Sequence, residues 1–561
     1  MEPINLFKDY ENARLDELYY YKLQNPDKTV LYDDLKNTEV AGLPIGVTRN
    51  AAGGLEVTFV PDTHLLAIGA TRSGKTTGYV VPTINVLLQK KNKSGMVISD
   101  PKQELYRQSA AEFEKQGYRV ILLDFNNYRH SDCWNPLTKF YRLYQKYLAV
   151  EKSVQAVETP SGNRNVFEGK VYEDQFELEC AVSERRDEYF DAVEKGITAL
   201  SHTVVSALNT KDPFWEDSAR DLFCAILYGM LEDSESGIIT EDTFSFDTMM
   251  RVFDSFGDDA NGSYDNGYFK NRPESSRAYR LAHKCILEQA PVTRRCITST
   301  FATKTNKFRD TSVRRITCTN TFEMNSLDDA QPTVIFLSYR DEESLHYEVI
   351  SMFLSNLYTE LIAISRKKKG RLERPFYFML DEFGNLPKFA DFDKVISACG
   401  GRNIWFLLIL QSYAQLGHVY GSGIAEVIKD NLNTHVFFGT NNPETKREFS
   451  RECGMKTIIS PTSALNGQSE RIERYDKETV ALVPVCKLDH IPPGDCIVTA
   501  MGSDVLWSHY ERSYLCPEFV GVPSEPTDRQ PRVRFSDPRY NYKPVRIEGS
   551  AEKEVKNPFE F

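Results

Sequence analysis

The stretch GATRSGKTT, residues 69–77, decides the fold of this chain, and it follows the apolar run HLLAI, residues 64–68. It satisfies the pattern G-x-x-x-x-G-K-[ST], in which a strand leads into a glycine-rich loop and the loop opens a helix. Glycines let successive backbone N–H groups point inward around the phosphates of a nucleotide, at the N-terminus of that helix. A glycine turn without a ligand is the competing interpretation, and the strand before the loop argues against it.

We predict that the whole loop binds ATP. Lys75 supplies a mobile positive charge for the phosphates, and the hydroxyl of Thr76 is a ligand for Mg²⁺. The residues expected to contact the nucleotide are Gly69, Ala70, Thr71, Arg72, Ser73, Gly74, Lys75, Thr76 and Thr77.

Length and composition describe a folded, soluble chain with several domains. The 561 residues, of which 41% are hydrophobic, amount to roughly three to four domain equivalents. The longest apolar run, residues 404–410, is too short to cross a bilayer, and the N-terminus lacks the pattern of a secretion signal. We therefore expect a cytoplasmic protein with no transmembrane segment in this chain.

Charge and cysteine content limit the partners that the chain can have. A formal net charge of −12 repels a polyanion at long range, so contact with nucleic acid requires a local basic surface. The 11 cysteines are scattered, with no C-x-x-C pair and no matching histidine cluster. Reduced thiols are the expected state, and the spacing gives no support for a zinc site.

Short apolar strands alternate with helical segments before and after a long charged and helical region. This alternation predicts an α/β fold with a mostly parallel sheet, in which LVPVCKL (482–488) and DCIVTAMGS (495–503) extend or edge the sheet. The predicted segments are a lead-in (1–55), the first part of a nucleotide-binding domain (56–140), a charged insertion and all-α domain (141–330), the second part of the nucleotide-binding domain (331–516) and a flexible tail (517–561).

Two acids follow the predicted strand in FYFMLDEF, where Asp381 and Glu382 end the apolar run. Ligands of open α/β sheets bind at the carboxyl ends of the strands. Asp381 is expected to hold Mg²⁺ together with Thr76, and Glu382 is expected to orient and deprotonate the attacking water. A strand that simply meets a charged surface loop is the alternative, and the upstream loop 69–77 favours a site.

Polar residues flank the next predicted strand, IWFLLIL. Gln411 follows it, and its amide can donate to a γ-phosphate and accept from a water molecule; an amide satisfied by backbone explains the pattern equally well. Arg402 precedes the strand, at the edge opposite its own nucleotide site, and is a candidate for completing the site of a neighbouring subunit. Arg447 and Arg451 are further candidates, although most surface arginines have no such role.

Two segments of the sequence are rich in basic residues, and one of them is a candidate for contact with nucleic acid. SRKKKGRLER, residues 365–374, is interpreted as a solvated loop. The stretch 293–315 alternates arginines and lysines with hydroxyl residues and with Phe301 and Phe308, a composition suited to phosphate contacts and base stacking. A partner-binding surface or a solvated helical face explains this composition equally well.

GATRSGKTT, SDPKQELYR, WNPL, LDEFGNLP and LLILQSYAQL occur in this order, with a helical insertion after WNPL. Together, over residues 62–513, they resemble the type IV coupling proteins, the TraG-like ATPases of conjugation and type IV secretion. The resemblance implies a RecA-like P-loop domain interrupted by an all-α domain. By this resemblance Asp381 and Glu382 are the metal and water acids, and Gln411 senses the γ-phosphate. Asp100 and Lys102 of SDPK also match, without an assigned role.

The resemblance further implies partners and an assembly. Such proteins form a ring, expected to be a homo-hexamer when active and a monomer in isolation, at the inner face of the cell membrane. They recruit a relaxase bound to single-stranded DNA, the relaxosome, and hydrolyse ATP to help drive the DNA into the proteins of a type IV secretion channel. A substrate receptor that ATP only organises, and a motor for effector proteins or duplex DNA, are the alternatives.

One feature departs from the resemblance. Family members usually begin with membrane-spanning helices, and no such pattern precedes Asp62. Either the anchor is missing from this chain, or a membrane-anchored partner supplies it, or this member is natively soluble. The charged stretch 141–196 fits no pattern and is a candidate surface for a cognate partner.

Overall fold

The chain divides into two compact units. The computed structural model describes residues 15–159, 162–205, 213–258, 264–265, 267–340, 344–389, 391–465 and 471–519. Among the described residues, the first unit, here called the sheet unit, joins the residues up to Asp124 to residues 323–519, and the second, the helical unit, lies within Phe125–Phe322. The division falls where the strand Arg119–Asp124 ends, earlier than the boundary expected at residue 140. The expected tail lies outside the described residues from position 520.

A ten-stranded sheet forms the centre of the sheet unit. Seven neighbouring strands are parallel, and two antiparallel pairings follow beyond them. In spatial order the strands are Leu15–Glu17, Val505–His509, Asp495–Ala500, Thr434–Gly439, Leu65–Gly69, Ile404–Leu410, Phe376–Leu380, Gly95–Ser99, Thr333–Ser338 and Arg119–Asp124. The predicted α/β fold with a mostly parallel sheet is confirmed.

The central strands are buried on both faces, which explains why their sequences are continuous apolar runs. Every residue of Leu65–Gly69, Gly95–Ser99 and Phe376–Leu380 is buried. Parallel neighbours need crossover connections, and helices supply them. Besides short 3-10 turns, the described helices of the sheet unit are Leu18–Gln24, Thr76–Val80, Val81–Gln89, Glu104–Lys115, Ser344–Lys367, Phe392–Cys399, Ala414–Tyr420, Ser422–Asn431, Pro443–Glu452 and Val485–Leu488. Across the described part of the chain, no helix combines the length and the apolar character needed to cross a membrane.

Two smaller β-structures complete the sheet unit. Thr29–Leu31, Leu55–Val60 and Leu43–Arg49 form a three-stranded antiparallel sheet, and Met455–Leu465 pairs with Arg471–Ala481 as a hairpin. The predicted lead-in therefore supplies strands to this sheet and, through Leu15–Glu17, one strand to the main sheet.

The two predictions for the sheet edge have opposite outcomes. DCIVTAMGS is confirmed, because Asp495–Ala500 pairs antiparallel with Thr434–Gly439. LVPVCKL is wrong as a strand: residues 482–488 contain the short helix Val485–Leu488. Pro484, directly before that helix, has no N–H to donate to a strand ladder and suits a helix start instead.

The helical unit is mostly, but not purely, α-helical. Besides short 3-10 turns, its described helices are Thr138–Ala149, Gln175–Val204, Phe214–Glu235, Phe246–Asp254, Gly267–Lys270, Arg277–Ala282, His283–Leu287, Pro291–Thr305 and Thr311–Ile316. Within the charged stretch 141–196, three antiparallel strands, Gln155–Thr159, Gly162–Phe167 and Lys170–Tyr172, precede the 30-residue helix Gln175–Val204. The two-residue strands Gly257–Asp258 and Tyr264–Asp265 also pair.

The basic stretch 293–315 does not present its phenylalanines to solvent. Phe301 and Phe308 are fully buried, and Phe308 stacks on Phe246 with ring centroids 3.8 Å apart. Ile297, one helical turn before Phe301, is buried too, and so is Lys307. The base-stacking interpretation is therefore wrong for both rings, since the alternation in the sequence marks the core face of a helix.

Candidate nucleotide-binding site

The loop 69–77 and the two predicted acids lie at the same edge of the main sheet. The strand Ile404–Leu410 runs between Leu65–Gly69 and Phe376–Leu380 and is parallel to both. Leu408 pairs with Leu66 on one side and with Leu380 on the other. The carboxyl ends of these strands therefore meet at one edge, which is where open α/β sheets bind their ligands.

The loop turns sharply between its strand and its helix. Gly74 has φ +90°, a backbone conformation that glycine adopts without steric cost. The N–H of Ala70 donates to the carbonyl of Gly439 at 2.8 Å, and the N–H of Ser73 donates to the carbonyl of Ala70 at 3.1 Å. A helix begins at Thr76, so the turn stands at a helix N-terminus, where backbone N–H groups favour an anion.

Lys75 is half-buried and lies within electrostatic range of the two acids. Its Nζ donates to the carbonyl of Gly69 and, at 3.2 Å, to the carbonyl of Ala70. Burial lowers the pKa of the Lys75 ammonium, and the negative charges of Asp381 and Glu382 oppose that shift. The structure thus brings the predicted cation and the two predicted carboxylates into one electrostatic environment.

The two acids have different local conformations. The Asp381 carboxylate accepts a hydrogen bond at 3.0 Å from the backbone N–H of Glu382. Glu382 itself is left-handed, with φ 54°, which is uncommon for a residue other than glycine. Its Oε2 accepts a hydrogen bond at 2.8 Å from Nδ2 of Asn385, and this contact holds the carboxylate in one direction. Held backbone outliers of this kind cluster at functional sites.

Two hydroxyls that the sequence pattern did not single out support the acids. Ser99 Oγ donates to the carbonyl of Asp381, and the hydroxyl of Tyr339 contacts Ser99 Oγ. Ser99 ends its strand, and Tyr339 directly follows the strand Thr333–Ser338, at the same edge as the acids. The sequence does show that Ser99 is a polar residue at the end of a buried parallel strand. It does not show the order of the strands, so the contact of Ser99 with Asp381 could not be predicted.

Gln411 lies at this edge directly after the strand between the loop and the acids. Its N–H donates to Oε1 of Gln415 at 2.8 Å, and its carbonyl accepts from Oγ1 of Thr440 at 2.7 Å. These bonds fix its backbone, while its side chain is half-buried. The position is compatible with the predicted sensor of the γ-phosphate, and that role stays a prediction.

Arg402 lies at the opposite edge of the sheet. It precedes Ile404–Leu410, and a strand of that length separates it from the loop edge by about 20 Å. Its Nη1 donates to the carbonyl of Ala398 at 2.8 Å. Arg402 therefore cannot complete the nucleotide site of its own subunit, and its action on a neighbour stays a prediction. Arg447 and Arg451 are exposed on the helix Pro443–Glu452.

Asp100 of the SDPK stretch has a structural explanation. Its Oδ2 accepts the backbone N–H of Tyr106 at 2.7 Å, at the start of the helix Glu104–Lys115. Only 2% of Asp100 is exposed, and this burial raises its pKa to about 6. Lys102 is exposed. Asp100 therefore fixes the helix start next to the strand that carries Ser99.

The residues at the loop edge fit a nucleotide with Mg²⁺. Ser73 Oγ is buried and has no hydrogen-bond partner among the described residues, so a bound phosphate would satisfy it. The hydroxyl of Thr76 and the carboxylate of Asp381 are hard oxygen donors, and Mg²⁺ in nucleotide sites takes one or two such protein ligands together with phosphate oxygens. In the described part of the chain no cluster of three or more His, Cys, Asp or Glu residues could hold another metal ion.

Comparison with known proteins gives one family for this chain. The family model described as type IV secretory system conjugative DNA transfer matches residues 13–479. The chain is 22% identical over 335 residues to the coupling protein TraD of Escherichia coli K12, covering 57% of this chain and 43% of TraD. It is 23% identical over 402 residues to the protein VirD4 of Agrobacterium fabrum, covering 70% of this chain and 50% of VirD4. The chain spans about half the length of these curated relatives.

Solved structures of one bacterial protein share the fold. An unbound form of the conjugative coupling protein TrwBdeltaN70 aligns with a TM-score of 0.55 at 16% identity, covering 88% of this chain and 95% of that chain. The plasmid coupling protein TrwB in complex with the non-hydrolysable ATP analogue ADPNP aligns with the same TM-score and identity, covering 91% and 97%. At this identity the likeness establishes the fold, and the predicted RecA-like P-loop fold is confirmed.

Proposed function

This chain belongs to the family of type IV secretory system conjugative DNA-transfer proteins, and we propose that it is an ATP-driven coupling protein that helps to pass DNA into a type IV secretion channel. The observation that supports this proposal most is the meeting of Lys75 with Asp381 and Glu382 at one edge of the sheet. A charged surface loop gives no reason for two acids to lie within electrostatic range of the half-buried lysine of a glycine-rich loop.

The proposed reaction is hydrolysis of ATP. Lys75 and the N–H groups of the loop 69–77 neutralise the β- and γ-phosphates, and Thr76 and Asp381 hold Mg²⁺, which offsets phosphate charge when it is bound. Glu382 takes a proton from a water molecule, the water oxygen attacks the γ-phosphorus, and the bond to the bridging oxygen breaks to leave ADP and phosphate. Gln411 orients the same water and responds to the γ-phosphate.

The proposed assembly is a ring of identical subunits, a homo-hexamer when active. The strand Ile404–Leu410 separates Arg402 from the loop edge of its own subunit, and a ring would let Arg402 reach the site of a neighbour. We place the ring at the inner face of the cell membrane, with a membrane-anchored partner. Its cargo is single-stranded DNA attached to a relaxase, and its local basic surfaces contact that DNA because the net charge of −12 opposes long-range attraction.

Turnover of ATP by the purified chain tests the proposal. Turnover with Mg²⁺ should rise when single-stranded DNA is added, and duplex DNA of equal length and a candidate effector protein should stimulate less. If ATP binds and promotes rings while no nucleic acid and no relaxase changes turnover, the chain is a receptor that the nucleotide organises. If duplex DNA or the effector stimulates more strongly, the proposed cargo is wrong.

A further inference from the structure

A second cation lies against the loop 69–77, and the motif does not reveal it. Nη1 of Arg512 donates to Oγ1 of Thr77 at 3.2 Å, although 435 residues separate the two positions. A Cβ built at Gly74 would lie 2.6 Å from Cζ and 2.8 Å from Nη2 of Arg512. The guanidinium therefore packs directly on the glycine backbone, and any larger residue at position 74 would displace it.

The chain just before Arg512 is fixed to the sheet unit. Tyr510 is fully buried, and its ring meets the ring of Tyr79 edge-on at 5.4 Å. The N–H of Glu511 donates to the carbonyl of Val47 at 2.8 Å. Because Tyr79 belongs to the helical turn that follows the loop, Arg512 and the loop are held by the same packing.

The chain after Arg512 is fixed as well. Arg49 donates to both carboxylate oxygens of Glu518, at 2.8 and 3.0 Å. The ring of Phe519 meets the ring of Tyr32 edge-on at 5.3 Å. With anchors on both sides, the Arg512 backbone is ordered before any ligand binds, so little entropy is lost when the side chain forms a new contact.

The Arg512 guanidinium keeps unused donor capacity. Its Nε is buried and has no hydrogen-bond partner among the described residues. An arginine offers five N–H donors in a planar fork, and this fork matches phosphate oxygens. A buried charged donor without an acceptor is costly, and a phosphate against Gly74 and Thr77 would remove that cost.

The two cations contact different parts of the loop. Lys75 interacts electrostatically with Asp381 and Glu382, where the γ-phosphate would be hydrolysed. Arg512 contacts Gly74 and Thr77, and among the described residues its hydrogen bond and its packing on Gly74 do not involve those acids. Because loops of this pattern hold the α- and β-phosphates along the backbone and use the lysine for the β- and γ-phosphates, Arg512 stands at the diphosphate part of the site.

We propose that Arg512 binds the diphosphate part of the nucleotide, shared by ATP and ADP, and so completes the site from the same chain. The proposal rests on the proposed nucleotide binding. Arg512 is a binding residue in this account: it strengthens the binding of ATP and ADP alike and leaves the chemical step to Lys75 and Glu382. The diphosphate would then stay attached to the Arg512 segment through the hydrolysis cycle.

Equilibrium binding of ATP and of ADP, each with Mg²⁺, tests this role. The proteins compared are the wild type, Arg512→Gln, Arg512→Lys and, as a matched control, Arg185→Gln in the helical unit, where Arg185 pairs with Glu168. Arg512→Gln should raise the Kd of both nucleotides by about tenfold or more, which is the loss expected for one charge-assisted hydrogen bond. Arg512→Lys should recover part of the affinity, and Arg185→Gln should bind as the wild type does.

The outcomes separate this inference from the proposed function. If Arg512→Gln binds both nucleotides normally while Lys75→Ala does not bind, the role of Arg512 is overturned and the proposed function stands. If the wild type binds neither nucleotide, the proposed function fails and this inference fails with it. A loss confined to ATP overturns the assignment to the diphosphate. If Arg512→Gln lowers the melting temperature of the nucleotide-free protein, and Arg512→Lys does not recover nucleotide affinity, then Arg512 has a structural role and the proposal is overturned.

Discussion

Ser99 Oγ donates a hydrogen bond to the carbonyl oxygen of Asp381 at 3.0 Å, across two neighbouring parallel strands. The hydroxyl of Tyr339 lies 2.8 Å from the same Oγ, which leaves Tyr339 as the donor to Ser99. Ser99 and Tyr339 are both buried. The backbone carbonyl of Asp381, the proposed metal-binding acid, is therefore held by Ser99, and Ser99 is in turn held by Tyr339.

Removing the Ser99 hydroxyl should slow turnover more than it weakens binding. We expect Ser99→Ala to lower kcat for ATP by about tenfold, since one hydrogen bond that positions Asp381 contributes about 1 kcal/mol and small displacements of a catalytic acid are costly. The Kd of ATP should change by less than about twofold. Steady-state turnover and equilibrium binding measure the two effects.

Ser109→Ala is the matched control for Ser99→Ala. Ser109 is also buried, but its Oγ donates to the carbonyl of Leu105 within its own helix, away from the acids. Its kcat should equal that of the wild type. Equal turnover in both variants would show that the Ser99 contact has no role in positioning Asp381.

Asp100 should make stability depend on pH. Its pKa is raised from 3.8 to about 6 in the folded chain, so the folded state holds this proton more tightly than the unfolded state does. The stabilisation from this proton is complete below pH 3.8 and is lost as the pH rises through about 6. Asp100→Asn keeps an oxygen acceptor for the helix start and has no charge to bury.

The stability of Asp100→Asn relative to the wild type should therefore increase as the pH rises from 4 to 7. The difference between their free energies of unfolding should change by up to about 3 kcal/mol, the equivalent of a shift of about two pKa units. Denaturant unfolding at several pH values measures it. A difference that stays constant over this range would contradict the buried state of Asp100.

Phe308→Ala should act on stability and leave DNA contact unchanged. The ring is fully buried on Phe246, and its loss should lower the free energy of unfolding by about 3–5 kcal/mol. The affinity for single-stranded DNA, measured at a temperature where the variant is folded, should stay the same. Thr303→Ala, at an exposed position in the same basic stretch, should change neither quantity. A selective loss of DNA affinity in Phe308→Ala would restore the stacking interpretation.

Mixed rings can test whether Arg402 acts on a neighbouring subunit. Arg402→Ala and Lys75→Ala should each lose turnover alone. In an equal mixture, an intact site forms where an Arg402→Ala subunit supplies Lys75 and its neighbour supplies Arg402. Random mixing gives about a quarter of such interfaces, so about a quarter of the wild-type turnover should return. A mixture without turnover, under conditions in which rings form, would remove Arg402 from this role.

The sequence predicted the parts of the site that depend on a local pattern. The loop 69–77 and the pair Asp381 and Glu382 stand at strand ends, and a continuous apolar run followed by polar residues marks a parallel strand buried on both faces. The order of the strands was not readable from the sequence, because it depends on long-range pairing. Ser99 and Arg512 were missed for this reason, since each meets its partner only after distant segments pack together.

The errors have physical causes of the same kind. Phe301 and Phe308 alternate with basic residues, and such a pattern suits both a nucleic-acid surface and an amphipathic helix that packs on a core. In LVPVCKL the apolar residues favoured a strand, but Pro484 starts a helix instead. Composition alone could not distinguish these cases, whereas the burial of the two rings and the helical backbone of Val485–Leu488 do.

Binding and turnover of ATP, measured in parallel for the wild type, Lys75→Ala and Glu382→Gln, test the central claim most directly. Lys75→Ala should lose binding and turnover together, because its charge neutralises the phosphates. Glu382→Gln should bind ATP with nearly the wild-type Kd and turn it over at least about 100-fold more slowly, because an amide cannot accept the proton of the attacking water. Wild-type turnover in both variants would contradict the account.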